Sequence, residues 1–244
     1  MPMPTPAFEQ NIFYTAVGYL LGLAISMGFL YPMSRLVKAV VEEKETRMKE
    51  VRALRILRLL NFLPSRLVAS LVANTPSLPQ TMLILGVKPW AHWLSWVLTA
   101  YLTFTLIALL VSWVISNTFL AATDPKLMFM YIWLFCASVI GFSFFVASFF
   151  SKAKLAAIIG PVALFASLMP RWIFYGSNRY EAEESKMFAS LLPCTAFAFG
   201  ADILSDYEYA EIGVQGFNMD EGAYSFRTCL VMMAFDAVFY FFLR

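Results

Sequence analysis

The sequence predicts an all-α, polytopic membrane helix bundle, and three observations carry the prediction. Of 244 residues, 60% are hydrophobic and only 14% are charged, whereas a soluble domain has about 25% charged residues. Five stretches are long and apolar enough to cross a bilayer, whose core of about 30 Å takes roughly 20 helical residues. The cations gather in alternate loops, as they do when successive helices reverse direction across a membrane.

The first span is Ile12–Met33. Its flank, MPMPTPAFEQN, has no basic residue, so it does not read as a signal peptide. It contains GYLLG, in which Gly18 and Gly22 permit close helix approach. That spacing serves packing within the chain as well as it serves dimerisation.

Residues Ser34–Glu50 keep a helical pattern. Glu43–Arg47 and Glu45–Lys49 are i,i+4 pairs in the favourable order. The charges read either as a solvated helix end or as a docking surface that orients a partner by charge. Val51–Gln80 differs: it has four arginines, no acid, and five prolines and asparagines.

The second span, Ala91–Ser116, opens on His92 among Trp90, Trp93 and Trp96, an interfacial aromatic belt. Leu127–Phe150 and Leu155–Tyr175 are the third and fourth, split by SKAK. Met187–Ile203 is apolar but short and contains Pro193. Length and proline leave open whether it re-enters the membrane or packs as an ordinary extracellular helix. The fifth span is Phe226–Leu243, and it contains Asp236. An acid there must face protein or water, as a pathway contact or as a structural hydrogen bond.

If the first span enters from outside, thirteen lysines and arginines fall in residues 34–90, 151–154 and the C-terminus, and five fall on the other side. Positive-inside then puts the N-terminus outside and the C-terminus in the cytoplasm.

Several chemistries are excluded. Cys136, Cys194 and Cys229 lie in or near apolar runs without a CxxC pair, which argues against a disulfide scaffold or a zinc site. A single histidine removes HExxH and most triads. There is no G-x-x-x-x-G-K-[ST] and no G-x-S-x-G. The expectation is therefore no catalysis, metal or cofactor in this chain. The arginines of 52–66 suit a membrane surface better than nucleic acid.

VVEEKETRMKE, TMLILGVKPWAHWLSW, FFSKAKLAAIIG, FASLLPCTAFAFGADILSDYE, IGVQ and LVMMAFD follow one another in this order, after PTPAFE. Together they resemble the A subfamily of ATP-binding cassette transporters, over residues 3–50 and 81–243. The resemblance implies one membrane half-domain, from the second span to the sixth, of the type V exporter kind. It implies that Met187–Ile203 belongs to a re-entrant extracellular-side hairpin. It also implies that the helix carrying Glu42, Glu43, Lys44, Glu45, Arg47, Lys49 and Glu50 docks on a nucleotide-binding domain. Partners would then be membrane lipids, that domain and a second membrane half-domain. ATP and magnesium would belong to the nucleotide-binding domain. Closure of that domain would push on Glu42–Glu50, and the rigid helix would pass the push to the first and second spans. The family's first span, exodomain and nucleotide-binding domain fall outside these 244 residues, so the expectation is a fragment or a half needing a separate ATPase. The competing class is a multipass remnant or scaffold without a motor.

In the family pattern EEKETRMKE runs straight into TMLILG, and deleting Val51–Gln80 restores that continuity. Valine codons begin GT and a glutamine codon is CAG, so the thirty residues read as an in-frame intron. The other reading is a real insertion, with Arg52, Arg55 and Arg58 three apart on a basic surface helix. Transcripts across the Glu50–Thr81 junction separate the two.

Overall fold

A computed structural model describes residues 12–59, 89–174, 183–222 and 224–243. They form helices α1 (Ile12–Gly28), α2 (Leu30–Leu59), α3 (Pro89–Thr118), α4 (Pro125–Phe149), α5 (Ala153–Ala166), α6 (Met169–Ile173), α7 (Glu183–Ala189), α8 (Pro193–Tyr209) and α9 (Phe226–Phe242), with no strand among the described residues. Segments Leu20–Thr46, Leu94–Thr118, Pro125–Phe149 and Ala153–Ile173 are each long and apolar enough to cross a membrane. At 1.5 Å per residue, the 17 residues of α9 reach roughly 26 Å.

Local chemistry sets the helix ends. Asp124 accepts a bond from the Lys126 amide at 3.0 Å and Pro125 supplies the first turn, so α4 has a strong start. Ser225 does the same for α9 through the Thr228 amide, at 3.2 Å. The ladder runs on through Phe29, whose amide bonds Ile25 and whose carbonyl accepts from Met33. The first span and its extension are therefore joined end to end.

Two of the predicted segments are subdivided in the structure. The fourth span is not one helix, because α5 stops at Ala166 and α6 starts at Met169. Pro170 has no N–H for the Ala166 carbonyl, and the Ser167 hydroxyl turns back to the Leu164 carbonyl at 2.6 Å. The Met187–Ile203 stretch covers the end of α7 and most of α8, with Pro193 at the first position of α8.

α4 is the hub. It packs on α9, α3, α2 and α8, and its residues from Phe135 to Phe144 are all buried. Phe135 stacks on Phe197 of α8 with ring centres 4.1 Å apart and meets Phe29 edge-on at 5.2 Å. Such aromatic pairs add about 0.5–1.5 kcal/mol each beyond burial. α8 is the other core element, with 14 of its 17 residues buried among α1, α4 and α9.

Candidate functional site

Two regions concentrate the polar geometry. The first joins α2 to the turn between α4 and α5. Along α2, Ser34 donates to the Ala157 carbonyl at 2.9 Å, and Val37 packs on Gly160, where an added methyl would stand 3.4 Å from its Cγ2. Further on, Lys44 Nζ donates to the Ser148 carbonyl in the last turn of α4, at 2.9 Å. Glu45 Oε2 accepts from the Ala153 amide, the first residue of α5, at 3.1 Å. Lys152, the N-cap of α5, gives no side-chain bond, so Glu45 caps that helix from elsewhere in the chain. Glu42 is exposed and Glu43 is half-buried. Arg47, Lys49 and Glu50 continue α2, but their side chains lie outside the described residues, as do residues 60–80 of the inserted segment and the side chain of His92. The helix expected to push on the first and second spans packs most extensively on α5 and α4 and meets α1 little.

The second region surrounds α8. Gly22 of the GYLLG motif lets α1 close on α8: a side chain there would stand 3.3 Å from the Ala201 Cβ and 3.4 Å from the Ala198 Cα. Intramolecular packing thus uses Gly22, while the side-chain surroundings of Gly18 lie outside the described residues. Gly200 is tighter still against the Tyr131 ring and the Cys229 sulfur. Tyr131 donates its hydroxyl proton to the Phe197 carbonyl, and Cys229 donates to the Ala196 carbonyl at 3.1 Å. Where α7 turns into α8, Tyr240 donates to the Leu191 carbonyl at 2.6 Å, and the hydroxyls of Ser190 and Tyr224 are 2.6 Å apart. At the far end of α8, Glu208 accepts from the Ala122 amide at 2.9 Å and from the Thr123 hydroxyl at 3.2 Å. Arg171 of α6 is buried and makes a two-pronged pair with Asp202; its Nε donates to Oδ2 at 3.2 Å, and its Nη2 donates to Oδ1. An arginine in the apolar text MPRWIF is the signal by which this pair could have been found.

Asp236 on α9 is fully buried, and neither carboxyl oxygen has a hydrogen-bond partner among the described residues. The buried hydroxyl of Ser138 on α4 likewise has none among them. The three cysteines are buried and free.

These helices and contacts define a polytopic, helical membrane domain. No family model matches the chain. Relatives do: human phospholipid-transporting ATPase ABCA3 is 27% identical over 97% of this chain. ATP-binding cassette sub-family A member 7 of Mus musculus is 27% identical over 98% of it, and human glucosylceramide transporter ABCA12 is 24% identical over 98%. The chain spans 13%, 10% and 8% of these proteins. Over nearly its whole length the chain is similar to members of the A subfamily of ATP-binding cassette transporters.

Proposed function

We propose that this chain is a membrane-spanning half-domain that forms part of a lipid translocation pathway, driven by ATP hydrolysis in a nucleotide-binding domain. The similarity to phospholipid- and glucosylceramide-transporting relatives over 97–98% of its residues carries this reading. The charged extension of α2 is the docking element for the nucleotide-binding domain, and α8, sunk between α1, α4 and α9, is the inner arm of a re-entrant hairpin. The α2 extension faces the cytoplasm and α3–α4 meet on the outer side, in keeping with the distribution of lysine and arginine. A second membrane half-domain completes the pathway. The 244 residues contain no P-loop, so the motor's chemistry belongs to another segment or another polypeptide.

The test is purification of the protein from its native membrane, followed by reconstitution with a fluorescent phospholipid. An ATPase, covalently joined or co-purifying, should drive ATP-dependent movement of the lipid between leaflets. A purified protein with no ATPase attached would instead be the non-transporting scaffold.

A further inference from the structure

The α4–α5 turn brings two helix ends of opposite polarity side by side. The last carbonyls of α4 carry the negative end of its dipole, and the first amides of α5 carry the positive end of the other. Neighbouring residues on α2 meet them with matching signs: Lys44 at the Ser148 carbonyl and Glu45 at the Ala153 amide. In a helix, adjacent residues point about 100° apart. One α2 turn therefore reaches both ends only because it lies across the turn. The Ser34–Ala157 bond and the Val37–Gly160 contact fix that register from further along.

We propose that Lys44 and Glu45 form a charge-sorted latch that binds α2 to both ends of the α4–α5 turn. A push on α2 then reaches the α4–α5 pair directly. These two side chains position the coupling helix from within the chain, while Glu42, exposed on the same helix, is left for a partner. As a route for a power stroke the inference rests on the transporter reading; as a structural latch it stands apart from it.

Exchanging the two charges tests the latch, because K44E/E45K keeps the net charge of α2 and nearly keeps its volume while mismatching both helix ends. K44Q/E45Q removes the charges only, and K44R keeps the sign. The purified 244-residue chain is placed in nanodiscs, and amide hydrogen exchange is followed across residues 150–158. Spin labels at Lys38→Cys and Leu155→Cys, both exposed positions, report the α2–α5 distance, while the native cysteines are buried. Exchange should be unchanged in K44R, roughly threefold faster in K44Q/E45Q, and roughly tenfold faster or more in K44E/E45K, the scale of a lost charge-assisted hydrogen bond. The distance distribution should broaden in the same order. Equal exchange in the neutral and swapped variants, or none of the variants differing from wild type, would overturn the latch. If the swapped chain does not fold, K44Q/E45Q against K44R decides: equality there overturns it too. Failure to find an ATPase partner would sink the transporter reading and leave this result standing.

Discussion

Gly200→Ala is a sharp probe of the α8 core because two effects of opposite sign compete. Alanine favours a helix interior by about 1 kcal/mol over glycine. Against this, the new methyl would stand 2.5 Å from Tyr131 Cε2 and 2.8 Å from both the Tyr131 hydroxyl and the Cys229 sulfur. The ring cannot swing aside freely. It stacks on Phe197 at 4.8 Å, meets Phe226 at 5.4 Å, and bonds the Phe197 carbonyl through its hydroxyl. Overpacking a well-filled core costs about 1–3 kcal/mol, and this contact belongs at the upper end. The balance is a loss of about 2 kcal/mol, or roughly 4–8 °C of Tm for a chain of this size. The three buried thiols supply the assay, since a thiol-reactive dye reports their exposure as the protein melts in detergent. Tyr131→Leu should cost stability alone but relieve the glycine variant, giving a coupling of about 1–3 kcal/mol in the double-mutant cycle. A higher melting temperature for G200A, or additive variants, would refute the placement of Tyr131 against Gly200.

Asp236→Leu should leave the melting temperature unchanged or raise it by a few degrees, because the buried carboxyl has no hydrogen-bond partner among the described residues to lose; a clear fall would show that the carboxyl has one. Glu208→Ala should cost about 2 kcal/mol and speed proteolysis in residues 119–124, since the Ala122 amide loses its acceptor; unchanged proteolysis would count against the anchor. Tags at the two termini should be reached from opposite faces, with the N-terminus outside, and an N-terminal tag found on the cytosolic face would overturn the assigned direction of every span.

The apolar spans could be read because burial in a bilayer demands length and hydrophobicity, both of which are local properties of the text. Length and Pro193 marked Met187–Ile203 as unlike the other spans, but that α8 begins at Pro193, after an extended Leu192, came only with the fold. The end of α5 was hard to place because LFASLMPRWIF is mostly apolar; Pro170 marks a break, but the bonds that end the helix are the Ser167 hydroxyl to Leu164 and the Thr195 hydroxyl to the Ser167 carbonyl, the second from another helix. At the α2 extension the sequence marked charge at helical spacing. It could not mark the partners of Lys44 and Glu45, which are backbone groups 104 and 108 residues away. Backbone amides and carbonyls carry no residue-specific signature, so such contacts stay invisible until the fold is known. Gly22 was visible as half of a motif, and the choice between its two readings came only with Ala198 and Ala201.

The burial of α8 has a consequence for biogenesis. Its walls come from segments on both sides of it in the chain, because α1 and α4 precede it and α9 follows it. When α8 emerges, one side of its berth is still to be supplied by a later segment. A product truncated before Phe226 would leave the face of α8 that packs on α9 uncovered.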